Sequence, residues 1–287
     1  MHLPDSMITT AICPVTLAAG IGTIAYAVRK SLKNKEQIKK ADFASVTALI
    51  FALQMLNYPI GSGVSGHFVG AFLAVGALGL NFGLLSMAAV LAVQAIIFGD
   101  GGILAFGANF ICMGIVPGLI ARFSINYIKS LSLKEIRFPL FGLGAYVSVV
   151  AASFVCGLII SPFADSAVLT SKTMILVHSK IAVGEAILTA FLLWRILEGK
   201  NRIKEAAIYT ILAAFVSPFA SSFPDGLEYS VEHILKIKTG FESIISGIIP
   251  DYSFPFLNSP YFSTLAAALA GIIAITALSM FFSGKKI

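Results

Sequence analysis

Apolar residues run along this chain in blocks. Hydrophobic stretches occupy 7–28, 43–56, 67–81, 82–98, 110–128, 139–162, 173–195, 206–220 and 261–282. A helix needs about 20 residues to cross the hydrocarbon core of a bilayer, and helices that do so satisfy their own backbone groups. The pattern predicts an all-α polytopic integral membrane protein with about nine transmembrane helices. Several middle stretches are short, and 67–98 also reads as one broken segment, so that count carries an error of about one span.

Composition supports this. Apolar residues make up 57% of the 287 positions and charged residues 12%, where a soluble protein carries about a quarter charged residues. Lys and Arg concentrate in cytoplasmic loops, which orients the spans. If nine spans alternate, 16 of the 20 basic residues share one side: the six from Arg29 to Lys40, Arg122, Lys129, Lys134, Arg137, the four from Arg195 to Lys204, Lys285 and Lys286. Lys172, Lys180, Lys236 and Lys238 are the remainder. The amino terminus is then outside and the carboxyl terminus cytoplasmic, in a cell membrane. The net charge of +6 belongs to these loops and gives no reason to expect nucleic acid. No basic residue precedes the first apolar stretch, whereas a cleavable signal needs one; residues 1–6 are expected to persist on the outer face. Cys13, Cys112 and Cys156 have spacings that suit neither disulfides nor a zinc cluster and read as packing residues.

The opening Met1-His2-Leu3-Pro4-Asp5 carries the first candidate chemistry. The α-amine of Met1, the amide nitrogen of His2 and the His2 imidazole can reach one metal ion as a chelate, if Met1 stays and its amine stays free. A bulky His2 disfavours methionine removal. His2 also reads as an ordinary terminal residue. The second polar island is Tyr58-Pro59-Ile60-Gly61-Ser62-Gly63-Val64-Ser65-Gly66-His67, where irregular backbone near the membrane needs a cover of protein or a cavity. In the inferred topology His2 and His67 are both external and can meet, offering four nitrogens, a set that suits Ni(II) or Cu(II). His67 reads equally as a residue lining a helix start. Imidazole and α-amine have reference pKa values of about 6.5 and about 7.7–8.0, so such a site weakens in mild acid.

These residues carry a resemblance. Met1-His2-Leu3-Pro4-Asp5 resembles the start of the CbiM/NikM family, the substrate-specific membrane subunits of energy-coupling-factor transporters for nickel and cobalt. Gly63-Val64-Ser65-Gly66-His67 resembles the family's Gly-Thr-Ser-Gly-His stretch. Gln94, Phe98-Gly99-Asp100-Gly101-Gly102 and Gly107-Ala108-Asn109 are similar to a further segment, and His178 with Glu185 to another. The similarity covers most of residues 1–200. It implies metal ligands at Met1, His2 and His67, with Ni(II) or Co(II) bound as transported substrate and no prosthetic group. Ser6 stands where the family has glycine, and Val64 where it has threonine; neither is a proposed ligand.

Ser217-Pro218-Phe219-Ala220-Ser221-Ser222-Phe223-Pro224-Asp225-Gly226-Leu227-Glu228 resembles the PDGLE domain, an extension or partner of such transporters with two membrane helices around an external loop. This divides the chain into a metal-binding domain, 1–200, and a PDGLE domain, 201–287. Asp225 and Glu228 can attract cations, or simply form a turn and a helix start. Asp5, Asp100 and Asn109 are candidates to orient the histidines, as outer groups do around metal-bound imidazoles. His178 and Glu185 lie two turns apart on one helix face, as an intramembrane polar pair that is either structural or on a transit route. His233 reads as a solvated surface residue.

No Gly-x-x-x-x-Gly-Lys-[Ser/Thr] phosphate loop occurs. The resemblance implies that a membrane coupling subunit, the T component, and a pair of ABC-type ATPases supply the energy, and that the chain is not an enzyme. Ala18 and Gly22 give the first span a small-xxx-small face suited to close helix packing. Two rivals are a membrane metalloenzyme with zinc on His2 and His67, and a stand-alone secondary cation carrier. The first lacks a third side-chain ligand and the second lacks the internal repeat expected of it.

Overall fold

The computed structural model describes residues 1–36, 38–133, 135–198, 201–237 and 243–282. Lys134, Lys200, Lys238, Lys285 and Lys286, which enter the charge reading, lie outside the described residues. A 3-10 turn, Asp5–Met7, leads into α1 (Ile12–Lys33) and α2 (Lys40–Gln54). An antiparallel hairpin of β1 (Tyr58–Gly61) and β2 (Val64–Gly66) follows. Then come α3 (Ala71–Leu78), α4 (Leu80–Val93), α5 (Phe106–Phe110), α6 (Val116–Ser130), α7 (Arg137–Ile160), α8 (Ala167–Glu198), α9 (Arg202–Val216), α10 (Gly226–Tyr229) and α11 (Pro260–Phe282). A π-turn at Gln94–Phe98 extends α4, and another at Ile111–Ile115 joins α5 to α6.

Among the described residues, six helical stretches are long and apolar enough to cross a membrane: Ile12–Lys33, Leu80–Phe98, Phe106–Ser130, Arg137–Phe163, Ala167–Leu197 and Pro260–Met280. The chain is a helical, multi-pass membrane protein. The other three predicted spans form shorter helices, 15 residues in α2 and α9 and 8 in α3. Eight residues rise about 12 Å, well short of the roughly 30 Å hydrocarbon core. Gly79 causes the break in 67–98: at φ +81 it turns α3 into α4 with a backbone angle that L side chains rarely adopt. His67 does not open a helix. It follows β2 in irregular backbone, and α3 starts four residues later. Every residue of α3 is buried, and α4, α6 and α8 pack around it, so the non-helical stretch before it has the protein cover it needs.

Close packing, rather than exclusion from water, holds helices together where lipid is as apolar as a side chain. On α1 the buried face carries Thr16, Gly20, Ala27 and Ser31, and Gly107 of α5 lies against the Thr16 backbone. Ala18 and Gly22 point away from the bundle, with open space beside Gly22. Cys112 and Cys156 are buried free thiols. At the end of α1 far from Met1, Lys30, Lys39, Arg122, Lys129, Arg137 and Arg202 line neighbouring cavities.

Candidate metal centre

The amino-terminal segment is folded into the bundle. Asn109 of α5 clamps Leu3 from both sides: the Leu3 amide donates to Asn109 Oδ1 at 2.7 Å, and Asn109 Nδ2 donates to the Leu3 carbonyl at 3.0 Å. The same carbonyl accepts from the Gly102 amide at 2.8 Å. Asp5 fixes the next turn. Its Oδ1 accepts from the amides of Leu104 (2.7 Å) and Ala105 (3.1 Å), and its Oδ2 from the Ile244 amide (2.9 Å). A side chain at Gly102 would collide with that carboxylate. Ser6 adopts no glycine-only angle.

This docking brings the proposed ligands together. The Met1 amine lies 2.6 Å from His67 Nε2, and the two imidazole rings stack with centroids 4.9 Å apart. His67 Nδ1 lies 3.0 Å from the Phe68 carbonyl. A carbonyl only accepts, so Nδ1 carries the proton and Nε2 keeps a lone pair facing the amine. His2 Nε2 lies 3.2 Å from Gln94 Oε1. Its Nδ1 lies 3.3 Å from Asp100 Oδ1. Burial pushes the His2 imidazole down to about 4; the Asp100 carboxylate opposes this, while His67 and the amine add to it. The neutral imidazole needed for metal binding is thus the favoured form.

Asp100 faces His2, and its Oδ2 accepts from the Tyr252 hydroxyl at 2.6 Å. Asp5 and Asn109 are arranged differently. Both bond backbone groups rather than a histidine, because the residues they meet are main-chain donors and acceptors of a segment without regular structure. Asn109 lies on α5. His178 and Glu185 each have separate surroundings on α8. His178 Nδ1 donates to the Met174 carbonyl at 2.9 Å, its Nε2 is buried without a partner, and Glu185 accepts from the amides of Val69 (2.7 Å) and Gly70 (3.0 Å). Glu185 therefore fixes the backbone just after His67. His233 stacks on Tyr229 at 5.0 Å.

The PDGLE turn reaches the same place. Asp225 Oδ2 lies 2.9 Å from the Met1 amine and 3.4 Å from His67 Nε2. The hairpin holds this turn: the Ser65 amide donates to the Pro224 carbonyl at 2.9 Å, and Ser65 Oγ to the Phe223 carbonyl at 2.7 Å. Burial would raise the Asp225 carboxyl, but the amine and His67 overcome it and hold it well below the usual range. His2, His67, Asp100, Asp225 and Glu228 share the lining of a cavity of about 310 Å³. Gln94 and Asp225 were not legible as partners of the histidines, nor Tyr252 as the partner of Asp100. Their contacts span 92, 152 and 158 to 224 residues, and nothing local signals them. Among the described residues no group of three or more His, Cys, Asp or Glu side chains is gathered closely enough to hold a metal by side chains alone.

Comparison with known proteins places the chain. Residues 2–203 match the family described as cobalt uptake substrate-specific transmembrane region, and residues 203–285 match the PDGLE domain. A putative fused nickel transport protein NikMN of Archaeoglobus fulgidus is 31% identical over 97% of this chain and 96% of its own length. The fused nickel transport protein NikMN of Rhodobacter capsulatus is 36% identical over 42% of this chain and 35% of its own. A crystal structure of a truncated transition metal transporter superposes with a TM-score of 0.61 at 27% identity, covering 70% of this chain and all of that one. The relatives are metal transport proteins, and this chain belongs to the CbiM/NikM family with a fused carboxyl-terminal PDGLE domain.

Proposed function

We propose that this chain is the substrate-binding membrane subunit of an energy-coupling-factor uptake system for Ni(II) or Co(II), with Ni(II) the better fit. The ion is held by the Met1 amine, the amide nitrogen and Nδ1 of His2, and His67 Nε2. The observation that carries this is the convergence of the amine on the His67 lone pair at 2.6 Å, with the His2 ring stacked beside them. Four nitrogens in one small pocket favour a tetragonal or square-planar ion. Asp100, Gln94, Asn109, Asp5 and Glu185 hold those ligands in place, as outer groups do around metal sites.

The remaining features belong to the same proposal. Nine crossings, with α2, α3 and α9 as short or partial ones, put the amino terminus outside and the carboxyl terminus in the cytoplasm of the plasma membrane. The gathering of Lys and Arg at one end of α1 supports that orientation. The metal-binding domain ends near residue 200, where the PDGLE domain begins. The exposed Ala18–Gly22 face of α1 suits a T component, which a pair of ABC-type ATPases drives, and inward release follows from ATP hydrolysis by those partners.

Calorimetric titration of the detergent-purified protein, with a verified free Met1 amine, tests the reading. Ni(II), Co(II) and Zn(II) are compared with His2→Ala and His67→Ala. Single-site binding lost in both variants is expected, and undiminished binding in both would overturn it. Metal-dependent hydrolysis requiring both histidines would instead favour the metalloenzyme, and uptake into liposomes by the chain alone would favour a secondary carrier.

A further inference from the structure

The two oxygens of Asp225 do different things. Oδ1 accepts from the Leu227 and Glu228 amides at 2.7 and 2.9 Å and so caps α10. The cap accounts for Oδ1 alone. Oδ2 points the other way, into the cavity shared by His2 and His67, and meets the Met1 amine across 224 residues of sequence. Bonds from imidazole nitrogen and carboxylate oxygen to a divalent ion such as zinc run about 2.0–2.2 Å, so donors at right angles on one ion sit roughly 2.8–3.1 Å apart. The Met1 amine, His67 Nε2 and Asp225 Oδ2 form a triangle with edges of 2.6, 2.9 and 3.4 Å. That is the size of one face of a coordination polyhedron, and two of its edges are hydrogen bonds from the amine in this structure.

We propose that Asp225, from the PDGLE turn, is a carboxylate ligand of the transported ion, added to the nitrogen set. This rests on the metal site proposed above. Oδ2 approaches from the cavity side, where an arriving cation meets a negative charge before it meets the nitrogens. The carboxylate offsets part of the ion's charge in a buried pocket. Because it is an oxygen donor outside the nitrogen set, it favours ions that accept five or six ligands over a strictly square-planar one. The fused domain thereby acts on which metal is held. Its cap fixes the carboxylate independently of the amino-terminal segment, so the donor is in place before the chelate closes.

The test uses the full chain with a native amino terminus, titrated with Ni(II) and Co(II), and the visible absorption of the Co(II) complex is recorded. Asp225→Asn and Asp225→Ser both preserve an N-cap, while the first removes the charge and the second is too short to reach the ion. Both should lower Co(II) affinity at least about tenfold, lower Ni(II) affinity less, and shift the Co(II) bands. Unchanged affinity and spectrum in both variants, with binding lost in His67→Ala, would overturn the carboxylate ligand and leave the nitrogen site standing. Lower affinity with unchanged bands would make Asp225 a positioning residue and also overturn it. Binding that survives His67→Ala would overturn the nitrogen site itself, and this proposal with it.

Discussion

Two short polar segments meet at the candidate site, and they are held in opposite ways. Residues 1–5 have almost no structure of their own. Side chains from elsewhere set their path: Asn109 on Leu3, Gln94 and Asp100 on His2, and His67 and Asp225 on the Met1 amine. The PDGLE turn supplies its own frame, a capping box in which Asp225 takes the Glu228 amide and Glu228 takes the Asp225 amide. The difference concerns how a donor can move. A segment held only by its target can lift away and return around an ion. A self-capped turn keeps its carboxylate aimed whether or not an ion is present.

The comparison can be broken most severely at the amino terminus. One residue inserted after Met1 separates the amine from the His2 chelate, and Ni(II) affinity should fall beyond the roughly 100-fold upper range of outer-shell changes; calorimetry measures this. Asn109→Leu leaves every ligand intact but removes the two-way clamp on Leu3, so a loss of about 10–100-fold is expected by the same method. Glu228→Ala, at the other extreme, costs one hydrogen bond of the box, about 0.5–1.5 kcal/mol of local stability, seen as a small drop in thermal unfolding temperature with metal affinity nearly unchanged.

Acid should sharpen the contrast. The docked His2 imidazole is held down to about 4, whereas an undocked imidazole takes up a proton near pH 6.5. Below pH 6.5 the undocked segment therefore binds a proton that the docked one does not, so docking weakens as pH falls from 6.5 and levels off near pH 4. The limit is about tenfold per pH unit. Hydrogen exchange at the Leu3 amide, corrected for its intrinsic rate, reads that opening, and His2→Gln should flatten the slope. Asp225 behaves differently. Its carboxyl is held below its ordinary range, so the stabilisation it gives is present above pH about 4 and is lost only as pH falls toward the lowered value.

Much of the architecture was legible as pattern. Apolar runs of membrane length placed the six long helices, because composition alone dictates where a chain can enter lipid. The short elements were less legible. α3 is as apolar as a span, but its length follows from Gly79 and from the helices that enclose it, neither of which a run of hydrophobic residues encodes. His67 was found as a polar residue after a glycine-rich stretch, while its setting just after a hairpin rather than at a helix start was not. Asn109 and Asp5 were found as polar residues near the site, but the backbone groups they bond were not, since sequence cannot distinguish a side chain that touches a histidine from one that bonds the backbone beside it.

The sequence by itself therefore determined a helical membrane protein, its family and the kinds of donor atom at its opening, because these depend on composition and on short contiguous motifs. Tertiary structure alone decided that the Met1 amine faces His67 and that Glu185 braces the backbone after it. It alone turned the second oxygen of the PDGLE aspartate toward the same pocket. Those are distances between residues remote in sequence, and only the packing of the helices and the hairpin between them fixes such distances.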